Sequence, residues 1–218
     1  MELAYHAADR RTVLRYLGAA GWTPDEATTG LLDEAETLLR HAATPRGVWR
    51  TLPPRALDLR DAGTDLARHL QGCSGLVLMA VTMGSGADAL IRRLELSDIA
   101  LGAAVDATAS AAMDGLCDDV EAEARRWARS QGLWLTGRYS PGYGDCPLTL
   151  QHDLCLALDT VRGLGLAVTP QHLLTPRKSV TAILGTADHP VTGARAGCGH
   201  CLLRETCAYR KRGMTCDD

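Results

Sequence analysis

The sequence predicts an α+β domain in which a mixed sheet is covered by helices. Three observations carry that expectation. Short apolar runs recur at 75–82, 133–136, 166–169 and 179–185. Between them lie segments whose apolar residues return every three or four positions, as in a helix with one buried face. The two kinds of segment alternate irregularly, with no internal repeat or low-complexity linker, and that order points to a mixed sheet.

A short helix is expected over 11–20, stopped at Gly21. Thr23-Pro-Asp-Glu26 reads as a helix start: Thr23 can cap, proline suits the first helical position, and Glu26 completes a capping box. Leu31, Leu32, Ala35, Leu38 and Leu39 follow at helical spacing, and Thr44-Pro45 ends the run. Gly75-Leu-Val-Leu-Met-Ala-Val-Thr82 is a buried strand bounded by glycine. Gly84-Ser85-Gly86 turns the chain, and Ser85 caps a helix through Leu94 with Asp88 at its third position. The alanine-rich region from 97 to about 129 is one long helix, or two with a break near Gly115. A strand over 133–136 leads directly into Arg138, 149–158 is helical, and 166–169 and 179–185 are strands. The expected organisation is one domain over 1–197, helical up to about residue 70, and a cysteine-rich tail over 198–218.

The 218 residues are 46% hydrophobic, enough for one real core. The formal net charge is −3, and the longest basic cluster is Arg210-Lys-Arg212, so the footprint of a nucleic-acid binder is missing. The opening Met1-Glu2-Leu3 is acidic, and His6, Asp9, Arg10 and Arg11 interrupt any apolar run, which argues against a secretory signal. The most apolar stretch, 75–82, is too short to span a bilayer. The expectation is a cytoplasmic protein with neither nucleic acid nor membrane as partner. In that compartment the eight cysteines favour thiols over disulfides. Cys73, Cys117 and Cys155, in apolar surroundings, read as small buried hydrophobes.

The most informative segment is Arg138-Tyr-Ser-Pro-Gly-Tyr-Gly-Asp-Cys-Pro147. Two prolines and two glycines make it a rigid, irregular loop, and glycine permits close backbone approach to a ligand. Arg138 offers a planar fork for a carboxylate. Tyr139 and Tyr143 offer aromatic faces for a sulfonium or an adenine. Any zwitterionic aromatic ligand would suit such a loop, and an ordinary structural loop after a strand is the competing reading.

The tail carries Cys198-x2-Cys201-x5-Cys207-x8-Cys216, a ligand density suited to tetrahedral zinc or to an iron–sulfur cluster. Free or disulfide-linked thiols are the plainer reading. His200 reads as a bystander, and His6, His41, His69, His152, His172 and His189 show no paired metal spacing. The acidic run Asp118-Asp119-Val-Glu121-Ala-Glu123 reads as the solvated face of a helix.

The loop resembles the Arg-x-x-x-Gly-Tyr signature by which the activation domain of cobalamin-dependent methionine synthase binds S-adenosylmethionine (SAM). Thr175-Pro-Arg-Lys-Ser-Val-Thr-Ala182 is similar to that family's second SAM-proximal segment. Leu90-Ile-Arg-Arg-Leu94 with Asp106-Ala-Thr-Ala-Ser-Ala-Ala-Met-Asp114 resembles the long helix of its stand-alone members, which carry cysteine-rich tails like this one. Gln151-His-Asp-Leu-Cys-Leu-Ala-Leu-Asp159 resembles the helix after the loop. The resemblance is ordered along roughly 75–186. It implies a C-shaped domain built on a twisted antiparallel sheet with flanking helices. It also implies that Arg138 holds the SAM carboxylate, with Ser140, Gly142, Tyr143 and Ser179 completing the ligand contacts.

The departures shape the expected function. No Asp-x-His-x-x-Gly cobalamin signature is present, so a corrinoid would arrive on another protein. Gly144-Asp145-Cys146 stands where the family has proline after the tyrosine. The first function implied is reactivation of a separate corrinoid methyltransferase by reductive methylation, with electrons from a flavoprotein or from a cluster in the tail. The alternative is an enzyme acting on SAM itself, without pyridoxal phosphate. There a base takes the Cα proton, the carbanion attacks Cγ, and methylthioadenosine leaves 1-aminocyclopropane-1-carboxylate. The candidate bases are Tyr139, Tyr143, Asp145 and Cys146.

Overall fold

A computed structural model describes residues 1–53, 55–193, 205–207 and 211. In chain order the elements are α1 (Arg10–Tyr16), α2 (Glu26–Ala42), β1 (Arg46–Leu52), α3 (Thr64–His69), β2 (Gly75–Thr82), α4 (Ser85–Ser97), α5 (Ile99–Ser130), β3 (Trp134–Leu135), α6 (Leu150–Leu158), α7 (Thr160–Leu164), β4 (Ala167–Val168), β5 (Leu174–Thr175) and β6 (Ser179–Ala187). Four strands form one sheet in the order β1-β2-β6-β3, with every neighbouring pair antiparallel. β4 and β5 make a separate two-stranded ribbon.

β2 explains the architecture. Its side chains alternate between faces, yet seven of its eight residues are buried. Val77, Met79 and Val81 enter one core with α1, α2, α4 and α5. Leu76, Leu78 and Ala80 enter a second core with Leu66 of α3, Leu154 and Leu158 of α6 and Leu164 of α7. The unbroken apolar run is therefore a strand covered on both faces, and the domain has three layers. The expected α+β sheet flanked by helices is observed, but it is antiparallel throughout, as the family resemblance implies, and not mixed, because the order of apolar runs does not set strand direction.

Several local expectations change. Asp25, not Thr23, caps α2, its carboxylate accepting from the Thr28 amide at 2.9 Å. The proline at 24 thus lies before the helix. Gly84 takes the cap position of α4 at φ 87° in place of Ser85. α5 runs unbroken through Gly115 for 32 residues, about 48 Å of helix, capped by Asp98 at the Leu101 amide. β1 falls where only helix was expected. It pairs with β2 along its whole length, from Arg46↔Thr82 to Leu52↔Leu76. No helix among the described residues is long and apolar enough to cross a membrane.

Candidate functional site

The loop after β3 is anchored before it turns outward. The Thr136 amide donates to the Gly185 carbonyl at 3.0 Å, and Tyr139 and Ile183 exchange two backbone hydrogen bonds of 2.9 and 2.8 Å. His69, buried between them, places Nε2 3.0 Å from the Gly137 carbonyl and 2.9 Å from the Thr136 hydroxyl. Its ring lies 5.0 Å from that of Tyr139. The strand pairing and His69 thus set the direction in which Arg138 leaves the sheet.

Arg138 meets α5. Its Nη1 donates to Asp118 at 2.7 Å and lies 2.8 Å from a Glu121 oxygen. Glu121 also accepts from Nε of Arg125 at 2.7 Å, and Arg125 donates onward to the carbonyls of Leu135 and Thr136 at 3.1 and 2.8 Å. Glu121 therefore ties two arginines and the end of β3 to one helix. The acidic run is the solvated face expected at Asp118, Asp119 and Glu123, while Glu121 is half-buried beneath the loop and Asp118 also reaches Arg138.

One turn earlier on α5, Asp114 accepts from the Tyr16 hydroxyl of α1 at 3.3 Å, with Arg15 at 3.8 Å. Burial raises the Asp114 carboxyl above the usual carboxylate value, against the lowering charges of Arg15 and Arg138. Burial also raises the Tyr16 phenol, followed by the charge of Asp114, and Tyr143 is close enough to add to that shift. Tyr16 and Tyr143 are both about half exposed, at 48% and 51%. Asp118 and Glu121 thus pair with the Arg138 guanidinium, Asp114 lies one turn earlier on α5, and Arg15 stacks on the Tyr16 ring, 5.5 Å from its centroid.

The four candidate catalytic side chains have different places. Tyr143 is open to solvent. Tyr139 is 4% exposed, and its hydroxyl donates to the Tyr143 carbonyl at 3.0 Å. Burial, ahead of the charge of Asp65, pushes its phenol up to about 12. Cys146 lies in the second core, 3% exposed, and burial pushes its thiol up to about 11. Asp145 faces α3: it accepts from the Thr64 amide and hydroxyl, each at 2.7 Å, and from the Asp65 amide at 3.0 Å. Those donors, the Asp65 amide foremost, hold its carboxyl below the usual range. It caps a helix from across the structure.

The expected binding positions divide similarly. The Ser140 carbonyl accepts from the Tyr143 amide at 3.1 Å, and the Gly142 amide donates to the Cys146 carbonyl at 2.9 Å, closing the loop on itself. Gly142 has φ 92° and Gly144 φ 52°, where side chains are strained. A Cβ on Gly144 would also collide with the Asp65 carboxylate. Ser179 opens β6 and donates to the Thr82 hydroxyl at 2.8 Å. Its neighbour Lys178 reaches Ser110 of α5 at 2.8 Å. Ser110 is eight residues from Asp118, about 12 Å along the helix, so Lys178 and Arg138 meet two ends of one stretch of α5, while Ser179 turns to Thr82 on the other face of the sheet.

Three of the tail cysteines, Cys198, Cys201 and Cys216, lie outside the described residues; Cys207 is a free, partly exposed thiol. Among the described residues no group of three His, Cys, Asp or Glu could hold a metal ion. Nothing local in the sequence marks Asp114, Tyr16 or His69 as site residues, since each acquires its place through a partner distant in the chain.

No family model and no curated protein matches the chain. Among solved structures, 98% of it aligns with 85% of the MetH reactivation domain bound to AdoHcy, with a TM-score of 0.65 and 18% identity. At that identity the likeness is one of fold, and it agrees with the resemblance read from the loop: this chain has the fold of the methionine synthase activation domain.

Proposed function

We propose that the chain binds SAM on the surface shared by the Arg138–Tyr143 loop, α5 and α1, and uses it to remethylate a corrinoid carried by another protein. The observation that carries this reading is the likeness, over almost the whole chain, to a domain solved with AdoHcy, the molecule SAM becomes once its methyl is lost. The loop geometry supports it. The Arg138 guanidinium is partly open and Tyr143 of the same loop is half exposed, two groups suited to a carboxylate and to a cation or adenine.

In the reaction, one electron from an external donor such as a flavoprotein reduces Co(II) to Co(I). Co(I) then attacks the SAM methyl carbon, the C–S bond breaks, and AdoHcy leaves. The chain's work is to hold the methyl exposed and aligned. Cyclisation of SAM to 1-aminocyclopropane-1-carboxylate needs instead a base over Cα. Of the four bases considered, Tyr139 and Cys146 are buried and held protonated, Asp145 is committed to α3, and only Tyr143 is open. Those placements favour presentation of SAM to a partner.

The test combines the full chain, methyl-labelled SAM, cob(II)alamin and titanium(III) citrate. Label should enter methylcobalamin above the chain-free rate only when all are present, and chain with SAM alone should leave SAM intact. Methylthioadenosine from chain and SAM alone would overturn the proposal in favour of cyclisation. Zinc or an iron–sulfur cluster on Cys198, Cys201, Cys207 and Cys216 is a separate proposal, read from metal analysis and the visible spectrum of the full chain.

A further inference from the structure

Asp106, Ser110, Asp114, Asp118 and Glu121 recur every three or four residues, so they form one stripe along α5. The stripe meets Lys178 at Ser110, Tyr16 at Asp114 and Arg138 at Asp118. Neighbours in it are about one turn, near 6 Å, apart. In SAM four bonds separate the carboxylate carbon from the sulfur, about 5 Å when extended. A carboxylate held at Arg138 therefore brings the sulfonium level with Asp114 if the ligand runs toward Lys178.

We infer that Asp114, held by the Tyr16 hydroxyl, reads the positive charge of the sulfonium and makes the site select SAM over the neutral thioether S-adenosylhomocysteine. This rests on the SAM-binding reading and sharpens it. A carboxylate one turn from the guanidinium gains attraction only when the ligand sulfur is charged. Tyr143, half exposed, adds an open aromatic ring suited to the same charge, whereas the Tyr16 ring is covered by the Arg15 guanidinium, 5.5 Å from its centroid. Arg15 stands 3.8 Å from Asp114, and Arg138 is taken up by Asp118 and Glu121. Tyr16 is thus a positioning residue: it fixes the carboxylate from a different helix.

Calorimetric titration of the full chain with SAM and, separately, with S-adenosylhomocysteine tests this. Wild type should prefer SAM by about tenfold, the scale for one partly solvated charge contact. Asp114→Asn should weaken SAM by about that factor and leave S-adenosylhomocysteine within about twofold. Tyr16→Phe, which keeps the ring and removes the donor, should erode the preference in part. Equal affinity of wild type for the two ligands, or equal weakening of both in Asp114→Asn, would overturn the inference while leaving SAM binding intact. Binding of neither ligand by wild type would remove the SAM reading itself.

Discussion

Tyr139 donates its hydroxyl hydrogen to the carbonyl oxygen of Tyr143 at 3.0 Å, so a buried ring fixes the backbone under an exposed one. Their ring centroids are 6.0 Å apart in an edge-to-face arrangement, favourable for two aromatic quadrupoles. Tyr139→Phe keeps the packing and leaves the Tyr143 carbonyl without this donor. The expected result is a stability loss of about 1 kcal/mol by denaturant unfolding and weaker SAM binding, through a looser Tyr143. Unchanged stability and affinity would show that the hydrogen bond does not set the loop.

Glu121 is the shared partner of Arg125 and Arg138. Glu121→Gln removes the charge that both guanidinium groups use, and Arg125 also holds the end of β3. Loss of a charge-assisted hydrogen bond in a partly buried setting costs about 1.5–3 kcal/mol. Thermal unfolding of the variant should show that loss. A melting temperature equal to that of wild type would assign the network no structural weight.

Burial raises the thiols of Cys117 and Cys146 to about 12 and about 11. Both should remain protonated and unreactive at neutral pH. Mass-spectrometric mapping after brief iodoacetamide treatment should find them unlabelled in the native chain and labelled after denaturation. Fast native labelling of Cys146 would contradict its place in the core and reopen it as a nucleophile or base.

Asp145 supplies a pH dependence with a definite sign. Its folded carboxyl lies below the ordinary 3.8, because the Asp65 amide, then the Thr64 hydroxyl and amide, stabilise the charged form. The unfolded chain therefore takes up its proton first, and the stabilisation is complete above the unfolded value and lost as pH falls through the folded one. Wild type should melt higher than Asp145→Asn at pH 6, and that gap should close as pH is lowered below about 4. A gap independent of pH would show that charge plays no part in the clamp.

The elements legible in the sequence were those whose signal is local. β2 was marked by apolar residues at every position, because both of its faces are covered. The 138–147 loop was marked by its glycines and prolines. β1 was hidden: as an edge strand it leaves Arg50 and Thr51 exposed, and its pairing comes from the β2 backbone. The α2 cap is not settled locally, because Thr23 and Asp25 are both competent caps in isolation, and only the folded chain shows which side chain meets Thr28.

The site was half legible for the same reason. Arg138 and Tyr143 stand in one loop and could be read together. Their partners come from other elements: Asp118 is 20 residues from Arg138, Asp114 is 98 from Tyr16, and His69 is 68 from Gly137. Pairings of that separation exist only once α5 lies along the sheet. The acidic run therefore looked solvated, although two of its members hold the arginine that matters most.

The most direct measurement is calorimetric titration of the full-length chain and of Arg138→Ala with SAM, with circular dichroism to confirm that both are folded. Wild type should bind SAM saturably at one site, and Arg138→Ala should lose at least about tenfold in affinity, as expected when a charged hydrogen-bond partner is removed. A folded wild type that binds no SAM, or a variant that binds it equally well, would contradict a site centred on Arg138.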